Sequence, residues 1–248
     1  MKIMLETTIF MSSTLITSIN NNDLTNTDLP LYLTDHNKVL AKEALHVLES
    51  MISSLKDNDP LANYMRNVLE SIKSKMEAAG EANSDSVIPL FIDEISTDSI
   101  NIGTDHIQKE LKKQAGVYLI KDIVSGEFYI GSANLFSRRL TEHKHISARP
   151  IKDANNFFHN YVKAHGGWSN FVWQTLIITG NHSLNFMTVN PNYSLTAEKL
   201  EMLRALTQFE TKLYEQSMIN LLQPTLNTST TITYSFVHWS RLSEKKKQ

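Results

Sequence analysis

The sequence predicts an α/β (α+β) protein: a small three-stranded antiparallel sheet flanked by helices, preceded by a helical N-terminal region. Three observations carry this. Two apolar stripes at helical spacing fill the first part of the chain. Short apolar and aromatic runs bounded by Gly, Asn and Ser begin only after Gln114. Stripes at helical spacing then return between and after those runs, giving the order ββααβαα.

The composition bounds what the chain can be. Its 248 residues, 41% hydrophobic and 20% charged, leave room for one large or two small domains and exclude a wholly disordered chain. With no Cys, disulfide frameworks, thiolate metal sites and Cys nucleophiles are ruled out. No apolar run reaches the ~18 residues that would span a bilayer. Met1–Leu5 loosely suggests a signal peptide, but Glu6 interrupts it, so a soluble protein is expected. The net charge of −2 hides an asymmetry: residues 1–100 hold 7 Lys+Arg against 15 Asp+Glu, the remainder 17 against 11. The basic part is the candidate for a polyanionic partner, although ordinary solubility charge explains a surplus of that size as well.

Residues 1–35 are rich in Thr, Asn, Ser and Asp and read as a loose lead. Region 36–105 reads as a helical hairpin and linker. Its first helix runs from Leu40 to Leu55. Asp59 caps the second, Pro60 occupies its first turn, and its stripe of Leu61, Met65, Leu69, Ile72 and Met76 ends near Gly80. A strand-like piece at Ile88–Ile95 and a polar linker at Ser96–Asp105 follow. Region 106–228 is the α/β domain. Gly116–Lys121 and Glu127–Gly131 form a hairpin turned by Ser125-Gly126. Helices are predicted over Asn134–His143 and Asp153–His165, the latter stopped by Gly166-Gly167. Phe171–Ile178 is the third strand. A polar loop through Pro191 leads to a helix at Thr196–Ala205, and Thr207 with Glu210 reads as the capping box of a last helix ended by Pro224. Residues 229–248 form a basic tail.

Several residues in the α/β region could carry chemistry. Tyr118 and Tyr129 lie on neighbouring strands, where side chains can meet, although Tyr pairs in hairpins are mostly packing residues. Arg139 and His143 are four apart and share a helix face, with Phe136 and Leu140 assigned to the other. Together with two tyrosine hydroxyls they could hold a phosphate; the plainer alternative is a solvated face. Arg138 and Lys144, with His145, Arg149 and Lys152, add a basic rim. Glu215 sits among Phe209, Leu213, Tyr214, Met218 and Ile219. A carboxylate there is costly unless paired or bound to a cation, and an exposed polar stripe with Thr211 and Lys212 is the alternative. Trp168 and Trp173 read as core. No Walker-type loop or structural zinc spacing occurs.

Gly116-Val117-Tyr118, Tyr129-Ile130-Gly131, Arg139, His143, Glu215 and Asn227, in that order, resemble the motif series of the GIY-YIG nucleases, with Val117 where the first element usually has Ile. The resemblance covers about Ala115 to Asn227, and the run Tyr129–Arg139 is most similar to the modules of group I intron-encoded homing endonucleases. It implies a DNA endonuclease acting on double-stranded DNA, with Glu215 holding one Mg²⁺ or Mn²⁺ and Arg139 offsetting charge on the phosphate. Tyr118 would be the general base, helped by Tyr129 and by a cation that favours its phenolate, and His143 a proton shuttle. Ser132 would orient a phosphate or cap the helix, and Asn227 would position. A mitochondrial location is implied in the same way. Homing enzymes of this type carry a separate C-terminal DNA-binding region, whereas only 21 residues follow Asn227. A truncated chain, an N-terminal part read through from an upstream exon, and weakly site-specific cleavage are the open explanations. Rival functions are a structure-specific repair nuclease and a DNA-binding protein with a decayed site.

Overall fold

A computed structural model describes residues 30–80, 100–104, 111–148 and 157–234. The strand-like piece at 88–95, most of the lead, the basic tail, and the start of the helix expected from Asp153, with Arg149 and Lys152, lie outside the described residues.

Two helices open the described chain, α1 (Asp35–Ser53) and α2 (Pro60–Glu77). The first starts five residues earlier than its apolar stripe suggests, because Thr34 and Asn37 form a capping box. The lead is therefore ordered from residue 30 on: Leu31 and Leu33 are buried and Tyr32 bridges to Gly80. Asp59 caps α2 as expected, accepting from the Leu61 N–H, with Pro60 in the first turn where no donor is missed.

The sheet has four strands rather than three, in the order β1-β4-β2-β3: β1 (Ile100–Asn101), β2 (Gly116–Asp122), β3 (Phe128–Ala133) and β4 (Phe171–Ile178), all antiparallel. The extra strand falls in the segment expected to be polar linker. Two residues are too short to show a period of two, and only their pairing with Val172 and Trp173 makes them a strand.

The faces of β2 have different neighbours. Tyr118 and Ile120 join Phe136, Leu140, Phe158, Val162 and Trp173 in one apolar cluster, built on α3 (Phe136–Ala148) and α4 (Phe157–Ala164). Val117 and Leu119 face the other way, into a larger cluster that includes Leu206, Phe209 and Leu213 and the hairpin residues Leu48, Met51, Leu61 and Met65. The N-terminal hairpin thus packs on the same core as the sheet, through the last helix. Along a strand successive side chains alternate faces, so single steps in the run Val117-Tyr118-Leu119-Ile120 separate the two cores.

The last helix, α6 (Ala197–Leu222), is continuous where two helices were expected. Thr207 does not cap anything. Its hydroxyl donates to the Leu203 carbonyl one turn back and accepts from the His182 N–H. The segment expected as a polar loop contains α5 (His182–Val189), capped by Asn181. Its polar composition hides the two buried anchors, His182 and Phe186.

Candidate active site at the edge strand

The site is built around β3, the free edge of the sheet. Tyr118 of β2 lies opposite Gly131 of β3, and Tyr129 opposite Ile120, so the two tyrosines are diagonal neighbours with ring centroids 6.3 Å apart. A Cβ at position 131 would collide with the Tyr118 hydroxyl and ring, so glycine there makes room for the phenol. A Cβ on Gly116 would strike the Ile177 carbonyl, which fixes the close approach of β2 and β4. Each tyrosine is clamped by a stacked ring: Tyr118 on Trp173 at 3.9 Å, Tyr129 on Phe158 at 4.4 Å. Stacked pairs of this kind contribute about 1 kcal/mol each and hold the hydroxyls in place.

Three groups meet at the buried Tyr118 hydroxyl. The Nε of Arg139 donates to it at 3.1 Å, and the Nε2 of His143 lies 2.7 Å away. The shared face expected for Arg139 and His143 is therefore real, but Phe136 and Leu140 are not on the opposite side. His143 is fully buried with them, and Arg139 stands at the border of that face, about a third exposed. Glu142 pairs with both Arg138 and Arg139 at 3.2 Å. Arg138 and His145 project to solvent and Lys144 is half-buried.

Behind His143 stands a residue the sequence did not single out. Nδ1 of His143 is 3.0 Å from Nε2 of His159 on α4, which is also buried. Its spacing of 16 residues from His143 carries no periodic signal; an apolar-faced helix with one His at the buried position is the only trace. Burial pulls the His143 pKa well below its ordinary value and that of His159 down to about 4, with the Arg139 charge acting in the same direction. Both rings are neutral at pH 7. If Tyr118 donates to Nε2 of His143, then Nδ1–H of His143 donates to Nε2 of His159, and both nitrogens of His143 are used.

Arg139 alone does not favour the Tyr118 phenolate. Burial pushes the phenol well above its ordinary range, Tyr129 adds to that, and Arg139 opposes it without prevailing. Tyr129 is raised for the same first reason, with the Glu215 charge next. At neutral pH both groups are hydroxyls.

Glu215 approaches from the other face, around the edge strand. It is 3% exposed, so the solvated-stripe alternative fails. Its Oε2 accepts from the Ser132 hydroxyl and from the Lys212 ammonium, each at 2.6 Å. Ser132 therefore orients the carboxylate and does not cap the helix. Asn227 is turned to the backbone: its Oδ1 accepts from the Ile130 N–H at 2.9 Å and its Nδ2 donates to the Ile130 carbonyl at 2.8 Å. With Leu226 N–H on the Phe128 carbonyl, it closes the free edge that carries the Tyr-Ile-Gly segment. Its amide is directed at β3, so Asn227 supports the strand that carries the Tyr-Ile-Gly segment.

Beside these groups a groove of about 800 Å³ runs between the start of α3 and the wall of α6, lined among others by Ser132, Arg138, Arg139, Arg204 and Lys212. Among the described residues no three His, Cys, Asp or Glu side chains gather to hold a metal. A single carboxylate on a polar groove still suits Mg²⁺ or Mn²⁺, which keep most of their waters. Glu215 already holds one cation, the Lys212 ammonium, in the place such an ion would take. Among the described residues no helix is long and apolar enough to cross a membrane.

Residues 114–179 match the GIY-YIG catalytic domain, a nuclease domain acting on DNA. The match contains the two tyrosines, Arg139, His143 and His159; Glu215 and Asn227 lie beyond it. No curated protein and no solved structure matches the chain.

Proposed function

We propose that the protein is a divalent-metal-dependent endonuclease that hydrolyses phosphodiester bonds in double-stranded DNA. The observation that carries this is the buried hydroxyl of Tyr118, held between Arg139 and His143 on β2, with Glu215 bonded to Ser132 of the neighbouring strand β3. A metal on Glu215 would supply Lewis acidity at the scissile phosphate. The protein's own groups have separate tasks. Arg139 offers a planar set of donors to the phosphoryl oxygens. Tyr118, as a hydroxyl, takes a proton from the attacking water while passing its own to the neutral Nε2 of His143. A phenol used in this concerted way starts as the hydroxyl that burial favours. His159 fixes the tautomer of His143 that can accept. Arg138 and Lys144 stand on the outward side for the flanking backbone.

The test is nicking of supercoiled plasmid by wild type and Glu215→Ala, each with Mg²⁺ and with EDTA. Metal-dependent nicking that is lost in Glu215→Ala is expected; equal activity in both proteins would remove Glu215 from the centre. A site-specific homing role for an intron, and a mitochondrial setting, form the finer part of the proposal and rest on the Tyr129–Arg139 run. They predict one dominant cut in an intronless target, whereas scattered cleavage would leave only the general nuclease.

A further inference from the structure

We infer that the polar stripe Arg204–Gln208–Lys212 on α6 is a phosphate track that leads a DNA strand along the groove into the Tyr118–Arg139 centre. This rests on the nuclease function proposed above. Most of α6 is buried, from Met202 to Leu222. Against that background, Arg204, Gln208 and Lys212 recur every four residues, all line the groove, and lead one turn further to Glu215. From Arg204 to Glu215 the stripe covers about 16 Å of helix.

The cations on this wall are held in a form ready for exchange. Arg204 is 57% exposed at its side chain and pairs with Glu201, three residues back, while Lys212 pairs with Glu215. The outer pair, Arg204 with Glu201, contributes little to stability, so replacing that carboxylate by a phosphate oxygen costs little; Lys212 is 28% exposed and can meet a phosphate while it stays on the buried Glu215. The facing wall carries Arg138 and Arg139, both tethered by Glu142 in the same manner. A strand laid in the groove would thus meet cations on both sides, and its scissile phosphate would arrive between Arg139 and Lys212, beside Ser132, the hydroxyl bonded to Glu215.

The experiment measures binding of a double-stranded DNA oligonucleotide by fluorescence anisotropy in EDTA, over a range of salt. The proteins are wild type, Arg204→Gln, Arg204→Lys, Lys212→Gln, and Arg66→Gln as a control on the distant hairpin. Arg204→Gln and Lys212→Gln should each bind severalfold more weakly and lower the salt slope by about one, as expected for a lost phosphate contact. Arg204→Lys should restore the slope, and Arg66→Gln should leave it unchanged. A wild-type slope in Arg204→Gln, or the same change in Arg204→Gln and Arg66→Gln, overturns the track while leaving the nuclease function untouched. Absence of DNA binding by wild type overturns both. Because Arg204 is exposed, its variants answer the question even if Lys212→Gln fails to fold.

Discussion

Among the described residues two tyrosine–histidine pairs share nearly the same local geometry, one fully buried and one with a half-buried tyrosine. Tyr118 meets His143 at 2.7 Å with the rings edge-on at 5.7 Å, and Tyr64 of α2 meets His182 of α5 at 2.9 Å with the rings edge-on at 5.9 Å. Their third partners differ. His182 closes on the buried carboxylate of Glu210 at 2.9 Å, and its backbone N–H closes on Thr207. That network joins the hairpin, α5 and α6, and burial with the Glu210 charge pushes the Tyr64 phenol up to about 12. His143 has another histidine in place of a carboxylate, and the phenol it meets is shared with Arg139 beside an open groove. The carboxylate makes one pair a tie between elements; in the other, burial and the Arg139 charge keep His143 neutral and able to take a proton.

The largest expected effects break this comparison at its hydroxyls. Tyr118→Phe keeps the ring on Trp173 but removes the oxygen that Arg139 and His143 share. Plasmid cleavage should fall by about 10³-fold with the fold intact, the range for losing both a general acid–base group and a charge-stabilising contact. Tyr64→Phe should leave cleavage within a few-fold of wild type and lower stability by about 1–2 kcal/mol, since His182 loses a buried partner. Equal loss of cleavage in the two variants would mean that the distinction between the networks is wrong. Next in size is His182→Leu, which strands the Glu210 carboxylate in the core. Urea denaturation should show a loss of about 3 kcal/mol or more, and a change within a few tenths would show that Glu210 reaches water unaided.

Much of this contrast could be read from residue order, and the reason it stopped where it did is physical. Tyr118, Arg139 and His143 are tied by strand and helix periods of a few residues, so their meeting was legible. So were the hairpin, the third strand and the capped start of α2. His159, by contrast, reaches His143 only through the packing of α4 on α3, and Lys212 reaches Glu215 by a spacing that equally fits a solvated stripe. The strand at Ile100–Asn101 exists only through its partner on β4. The N-terminal hairpin was legible as helices but not as a wall of the same core, because Leu206, Phe209 and Leu213 advertise an apolar face without saying what covers it. The role of Asn227 was similarly hidden, since a side chain that pairs with a strand backbone has no sequence spacing.

The proton content of the reactive network gives a prediction of intermediate size. Both His143 and His159 have folded pKa values below the ordinary 6.5, the latter about 4. Between pH 6.5 and 4 the unfolded chain therefore binds more protons than the fold. The contribution of these rings is fully present above pH 6.5 and is lost as pH falls through that window. The unfolding free energy from urea denaturation should fall from pH 7 to pH 5 by about 2 kcal/mol, and His159→Gln should flatten the slope. An unchanged slope in His159→Gln would show that its ring is already protonated in the fold and cannot set the tautomer of His143.

The smallest effect concerns the one place where the reactive site does contain a neutralised carboxylate. Glu215 sits in the core with the Lys212 ammonium 2.6 Å from its Oε2, and Glu210 has the Nε2 of His182 at 2.9 Å. A divalent ion bound through the same oxygen has to displace that ammonium, so Lys212 weakens metal loading even as it stabilises the metal-free protein. Lys212→Met should bind Mn²⁺ about tenfold more tightly in a titration followed by paramagnetic resonance without DNA, because the lost competitor is worth about as much as a partly exposed ion pair. The same variant should be slightly less stable without metal. Lys212→Arg, which keeps the charge, should bind as wild type does, and Glu215→Gln should abolish the site. Weaker binding in Lys212→Met would make the lysine a positioning partner of the carboxylate and not its rival. The likeness between Glu215 and Glu210 would then extend to both being held in place by their nitrogen partners.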